Sequence, residues 1–296
     1  MGKNKILIFG AGVIGSAYAA MLSTKDENDI KVFARGRRLE QLKKEGLRYF
    51  DEKTKTIKKA KITVLENLPD NMTFDFAFVT IRYEQVIDAL EQVKNNATQN
   101  IVVMVNNPLG YAKWQEILKE RLIVGFPNIG GKIEDGVLYF KHTPAIIQRT
   151  TLGEVNGRKT DRIKKLKRIL KNGGFKTAVS NNMDAWQKTH LAIVIPAADG
   201  IYMDGGDAYT TAKNKKALYF MASELKANFR LLKAKKIPVK PFRLRIIRIC
   251  PKWLIKILLK KLFRTKLAET VISYHTLNAR KEAEMLKEDF YKAVKS

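Results

Sequence analysis

The feature that most constrains this chain lies at its start. The apolar run Ile6–Phe9 meets three glycines, Gly10, Gly12 and Gly15, in G-x-G-x-x-G spacing, and then enters a helix-compatible stretch from Val13 to Leu22. Each glycine has a mechanical reason in a strand–turn–helix unit. Gly10 makes the tight turn, Gly12 lets backbone approach a pyrophosphate, and Gly15 lets helix and strand pack closely. The free N–H groups at the helix start, near Val13 and Ile14, then face phosphate. Two rival readings remain. Lys3 and Lys5 before an apolar run, with Ala17, Tyr18 and Ala19 as an A-x-A site, resemble a secretory signal, although a signal does not need three glycines at these intervals. A purely structural turn is the other.

The texture downstream supports the first reading. Lys5–Phe9, Ile30–Phe33, Phe76–Thr80, Ile101–Val105 and Leu122–Phe126 read as short apolar strands, with weaker strands around Ile62–Leu65. Helices are expected at Val13–Leu22, Arg38–Lys44 and Glu84–Val93. Short strands alternating with helices predict a parallel sheet covered on both faces. Residues 136–155 read as short extended pieces, and Thr160 as the N-cap of a helix from Asp161 to Leu170. Beyond residue 179 the pattern is helical, at Met183–Ile195, Thr211–Ala234 and Leu267–Val294. The expectation is α/β: a Rossmann-type dinucleotide-binding domain over 1–179, followed by an all-helical domain over 180–296.

The end of the second strand bears on which dinucleotide. Asp or Glu there would hold the ribose hydroxyls of NAD, whereas a 2′-phosphate needs cations. Here Val32, Phe33 and Ala34 lead into Arg35, Gly36, Arg37 and Arg38. That favours NADP, with Arg35 the best candidate because a planar guanidinium suits a phosphate. The rival is that a chain with formal net charge +27 puts arginines everywhere. That charge attracts anions of any kind. The composition, 45% hydrophobic and 29% charged, belongs to a folded chain. The single cysteine, Cys250, permits no internal disulfide, which points to the cytoplasm. No metal site is expected, since His142, His190, His275 and Cys250 lack ligand spacing.

Taken together, GAGVIGS, ARGRRLEQLKKEGL, DFAFVTIRYEQV, VNNPLG and DAWQKTHLA resemble the ketopantoate reductase family of NADP-dependent 2-oxo-acid reductases. The resemblance covers nearly the whole chain and is strongest in residues 5–131 and around Trp186. It implies a Rossmann domain, a helical domain and an active site in the cleft. It also implies that Lys188, two residues after Trp186, is the general acid. Independently, Lys188 shares a helical face with Leu191, Ala192 and Ile195, where burial would lower its pKa. Snorkelling from the helix start is the alternative.

The family's asparagine after the fifth strand corresponds to Asn106 or Asn107, with Asn107 the closer match, unless Asn before Pro108 is only turn chemistry. The family's lysine after the fourth strand is Arg82 here, a cation of different geometry. The usual substrate-binding asparagines four and eight residues after the lysine are Ala192 and Pro196, so pantoate-type recognition is not expected to carry over unchanged. His190 is a further candidate, although it lies about 200° from Lys188 on a helix. The last helix should supply an acid. Glu282 borders the stripe of Ala279, Leu286, Phe290 and Ala293, with His275 on the same face, while Glu284 and Glu288 point away.

From Leu225 to Ala268 there are fifteen Lys and Arg and no Asp or Glu, interleaved with Phe229, Phe242, Trp253 and Phe263. The piece PKWLIKILLKKLFRTKL is basic and amphipathic, of the kind that lies on anionic membranes. No signature for specific nucleic-acid binding accompanies the charge. The expected partners are a small anionic 2-oxo acid, an anionic membrane surface in weak contact, and a second copy as a homodimer. The expected activity is an NADPH-dependent reduction by hydride transfer with Lys188 as acid. The alternative is a protein that binds NADP or a membrane without catalysis.

Overall fold

The computed structural model describes residues 2–266, 268–269 and 279–295. By contacts the chain divides into two compact units. The first holds residues 1–105 and 111–181, and the second holds 106–110 and 182–296. The sequence expectation put the division at 179/180 and gave 106–110 to the first unit, but these five residues pack with the second.

The first unit is built on an eight-stranded sheet. Its strands are β1 (Asn4–Phe9), β2 (Asn28–Phe33), β5 (Thr63–Leu65), β6 (Phe76–Val79), β7 (Ile101–Val103), β8 (Leu122–Phe126), β11 (Thr150–Gly153) and β12 (Thr177–Val179), in the order β12-β11-β8-β7-β6-β1-β2-β5. The six from β5 to β8 run parallel, with Ile6 opposite both Ile30 and Phe76. Counted along the chain they give the 3-2-1-4-5-6 order of a Rossmann sheet. Strand β11 adds antiparallel to β8. Helices α1 (Val13–Leu22), α2 (Gly36–Glu45), α3 (Val86–Val93), α4 (Ala112–Leu118) and α5 (Asp161–Asn172) connect them. Thr160 caps α5, its hydroxyl accepting the Ile163 N–H at 3.4 Å.

A second, four-stranded sheet has the order β4-β3-β10-β9, from β3 (Arg48–Asp51), β4 (Thr56–Lys59), β9 (Ile129–Glu134) and β10 (Val137–His142). The sequence pattern did not show β3 and β4, because every residue of β4 is exposed and its lysines mask any alternation. Helix α1 packs against β1 and β2 of the large sheet and against β9 and β10 of the small one. That explains its composition, since a helix covered on both sides is apolar or small all round: Ala17, Tyr18, Ala19, Ala20 and Leu22 are all fully buried.

Tyr18 lies at the centre of this layer, stacked on Phe175 at 4.3 Å. Its hydroxyl is 2.8 Å from Thr150 Oγ1, which in turn donates to Asn128 Oδ1 at 2.8 Å. Thr150 has spent its only proton, so Tyr18 is the donor. Burial pushes the phenol's ionisation up from its ordinary value.

The second unit is helical, with α6 (Met183–Tyr202), α7 (Ala208–Thr211), α8 (Lys215–Ala234), α9 (Ile246–Ile249), α10 (Lys252–Phe263) and α11 (Arg280–Lys295). Asn182 caps α6 by accepting the Ala185 N–H at 2.8 Å, and Asn214 caps α8 by accepting the Lys216 N–H at 2.8 Å. Helix α6 continues through Pro196. Proline cannot donate to the carbonyl four residues back, and Asn228 of α8 takes that role, its Nδ2 donating to Ala192 O at 3.2 Å. His275 lies outside the described residues. No helix among the described residues is long and apolar enough to cross a membrane.

Two substitutions test this packing. A Cβ added at Gly15 would sit 1.9 Å from Gly10 O and 2.4 Å from Thr80 Oγ1. Gly15→Ala should therefore cost about 3 kcal/mol or more, seen as a lower thermal midpoint by circular dichroism; an unchanged midpoint would mean the turn yields freely. Tyr18→Phe removes one buried hydrogen bond and should lower stability by about 1 kcal/mol in urea titration.

Candidate functional site

The glycine turn is held from several sides. Gly10 has φ +106°, a conformation that side chains rarely adopt, and a Cβ there would meet Thr80 O at 2.8 Å. Thr80 at the end of β6 donates from its hydroxyl to Gly10 O at 3.0 Å. Ser16 Oγ donates to Ala11 O at 3.0 Å, and Arg38 Nε donates to the same carbonyl at 3.1 Å. With the Ala11 carbonyl turned inward, the α1 N-terminus has no side-chain cap at Gly12. Its first N–H groups, including those of Val13 and Ile14, therefore lack intrahelical partners. A Cβ on Gly12 would meet nothing within 4 Å. This end of the helix is open.

Beside it is a cleft of about 340 Å³ lined by Gly10, Gly12, Phe33, Arg35, Arg38 and Ile81, among others, with no Asp or Glu in its wall. The two lining arginines differ. Arg38 is committed to the protein, donating from Nη1 to Gln41 Oε1 at 2.6 Å and from Nη2 to Ser16 Oγ at 3.2 Å. Burial pulls its pKa down from the ordinary guanidinium value. Arg35 is exposed, at the N-cap of α2, and makes no side-chain cap bond. An uncapped helix start at one end and an exposed guanidinium at the other suit an anionic dinucleotide. Arg82 is exposed at the start of a short turn and is not part of the wall, which its neighbour Ile81 forms. The sequence did not show the roles of Thr80 and Ser16, and it offered Arg38 only as one of a cluster of cations, not as a brace of the turn. Only the position of Thr80 at a strand's carboxyl end could have signalled one of them.

In the second unit Lys188 is not the solitary cation that its apolar stripe suggested. Its Nζ lies 2.6 and 2.7 Å from Asp184 Oδ1 and Oδ2, one helical turn earlier. The pair is only partly exposed, at 12% for Lys188 and 37% for Asp184. His190 stacks on Trp186 with ring centroids 5.5 Å apart and planes 8° from parallel. Two i, i+4 pairs offset by two residues face different directions, so His190 is not brought to Lys188.

The Asn107 side chain is spent on its own turn. Its Nδ2 donates to Gly110 O at 2.6 Å, and its Oδ1 accepts the Leu109 N–H at 3.0 Å. Its backbone N–H donates to Gln187 Oε1 at 2.9 Å, beside Lys188 in the chain. Asn106 is the amide with a vacancy, its buried Oδ1 having no hydrogen-bond partner. Glu282 is buried on α11 with Leu286 and Phe290. Ala192 and Pro196 are both buried in α6 and carry no polar side-chain atom.

Comparisons with known proteins agree with this organisation. An uncharacterized oxidoreductase of Bacillus subtilis, YkpB, is 28% identical over 193 residues, covering 62% of this chain and 60% of that protein. A 2-dehydropantoate 2-reductase of Mesorhizobium japonicum is 25% identical over 211 residues, covering 62% of this chain and 63% of that one. The match thus spans less than two thirds of either relative. Among solved structures, D-mandelate dehydrogenase in ternary complex with NADH and anilino(oxo)acetate has a TM-score of 0.70 and 15% identity, covering 98% of both chains, a likeness of fold. The family model described as Ketopantoate reductase PanE/ApbA matches residues 6–157, over half of the 296. With the glycine turn, its open helix end and the Rossmann strand order inside that match, this chain belongs to the ketopantoate reductase family.

Proposed function

We propose that the protein is an NADPH-dependent reductase of a small 2-oxo acid. The observation that carries this reading is the acid-free cleft with an uncapped helix start and the exposed Arg35. The N–H groups of Val13 and Ile14 would hold the diphosphate, and Arg35 would hold the 2′-phosphate through charge-assisted hydrogen bonds. The bound nicotinamide supplies hydride to the carbonyl carbon. An oxygen whose carbon accepts hydride needs a proton, and Lys188 is the donor.

Asp184 holds the lysine ammonium in one place. Asn106, with its unsatisfied Oδ1, is the amide proposed to meet the ligand, in place of Asn107. Glu282 remains the proposed acidic substrate ligand, Arg82 a cation for the substrate carboxylate, and His190 the weakest of the candidates because it is stacked on Trp186. Because Ala192 and Pro196 provide no hydrogen bond, the substrate's side group is apolar rather than hydroxylated. That preference is compatible with the likeness to D-mandelate dehydrogenase. Cytoplasmic location and a homodimer belong to the same reading, and light scattering on the purified chain reads the second.

Calorimetry should find NADPH bound roughly tenfold to a hundredfold more tightly than NADH, with the difference lost in Arg35→Ala. Equal affinities in the unmodified protein would rule out the phosphate assignment. In a panel of 2-oxo acids, followed by loss of reduced nicotinamide, acids with apolar side groups should be turned over faster than ketopantoate.

Lys188→Ala should lower kcat by about a hundredfold or more while NADPH still binds. Asp184→Asn should lower kcat less, because the lysine loses the carboxylate that positions its ammonium. Unchanged turnover in Lys188→Ala, or NADPH binding without turnover of any oxo acid, would leave the non-catalytic alternative standing.

A further inference from the structure

The segment 242–258 exposes six large apolar side chains in succession: Phe242 71%, Ile246 64%, Ile249 82%, Trp253 63%, Ile257 43% and Leu258 55%. Both helices in it rest on α8. Helix α10 buries Ile255 and Phe263 inward, Phe263 joining the core around Ile201 and Met221. On helical spacing Trp253, Ile257, Lys260, Lys261 and Arg264 then lie on the opposite face, and all five are exposed. Of the four aromatics that punctuate the basic stretch, Phe229 and Phe263 are core residues, and only Phe242 and Trp253 reach the surface.

The exposed apolar groups are set among cations. Arg243, Arg245 and Arg248 are exposed within it and Lys260, Lys261 and Arg264 just after it, with no acid between Leu225 and Ala268. The Arg245 guanidinium sits 4.3 Å from the Phe242 ring centroid, and Lys252 lies 5.2 Å from that of Tyr219, itself 53% exposed. Single exposed apolar residues are ordinary, but six in one short basic segment mark an interaction surface.

We propose that this face is a docking surface for an anionic phospholipid bilayer. The apolar side chains enter the headgroup–acyl boundary while the long basic side chains reach lipid phosphates. Helix α10, with 12 residues, is too short to span, so the protein lies on the surface. Tryptophan at the centre of the segment suits that boundary. A second copy of the chain is a poorer occupant, because a two-fold would bring this acid-free face against itself and set like charges together. Nucleic acid is poorer too. It would use the cations and stack on Trp253, but it has no use for the aliphatic Ile246, Ile249, Ile257 and Leu258.

The test is flotation of the full chain with phosphatidylcholine vesicles, with and without phosphatidylserine. The protein should float with the anionic vesicles only, and raising salt should release it. The double substitution Ile249→Asp with Trp253→Asp should weaken flotation about tenfold or more, with an unchanged thermal melt and NADPH affinity. If that variant misfolds, Lys260→Glu with Lys261→Glu serves instead.

No flotation with anionic vesicles overturns the proposal. So does flotation that neither variant weakens, or a concentration-dependent dimer that the apolar variant dissolves while no vesicle is bound. None of these readings depends on turnover, so the reductase assignment stands or falls separately.

Discussion

The approach of α1 to β1 at Gly15 is the contact on which the first unit depends. The position a Cβ would take is 1.9 Å from the Gly10 carbonyl, so no other residue lets the helix start where it does. That start is closed from behind by Thr80 and by the two donors on the Ala11 carbonyl, Ser16 and Arg38. Carbonyls that could have turned toward the cleft are satisfied within the protein. The N–H groups that remain face outward with nothing to neutralise them, which is the electrostatic condition for holding an anion. Fold and binding chemistry are here one arrangement.

The two arginines at the end of β2 show how position gives identical side chains different surroundings. Arg38, one turn into α2, is drawn under the loop, where loss of water is offset by three hydrogen bonds to Ala11, Gln41 and Ser16. Its side chain is committed. Arg35, at the cap, keeps its solvent and its freedom. Because a guanidinium cannot shed its proton under ordinary conditions, the committed arginine still adds a positive potential to the cleft wall, beside an exposed one that makes no cap bond. An acid at either place would cancel that potential.

Much of the first unit was legible because buried parallel strands are uninterrupted apolar runs and because glycine spacing has a mechanical meaning. The helix at Asp161 was legible from its threonine cap. What escaped was whatever depended on a partner distant in sequence or on side-chain direction. The second sheet joins residues 48–59 to 129–142, and its outer strand has no buried face to leave a pattern. For Asn107 the sequence left ligand contact and turn chemistry before Pro108 both open, and its amide folds onto its own turn, so the vacancy lies at Asn106. Asp184 was in plain view four residues before Lys188, yet the apolar stripe drew the eye to burial rather than to the adjacent carboxylate. Phe229 and Phe263, exposed in no pattern, were grouped with surface aromatics that they do not join.

The substitutions at residues 192 and 196 act together rather than as two separate losses. Proline at 196 leaves the Ala192 carbonyl without its helical donor, and an unpaired buried carbonyl costs about as much as a lost hydrogen bond. Asn228, a fully buried amide, answers it from α8, which offsets the cost of burying both polar groups. A larger polar side chain at 192 would crowd that junction, since Ala192 itself is fully buried. Asparagines at both positions would therefore remove the proline whose missing donor Asn228 replaces and enlarge a side chain at a fully buried site. Polar recognition on this stretch of α6 is closed off by the packing of α6 on α8. The Asp184–Lys188 pair stands clear of this junction, in the first two turns of the helix.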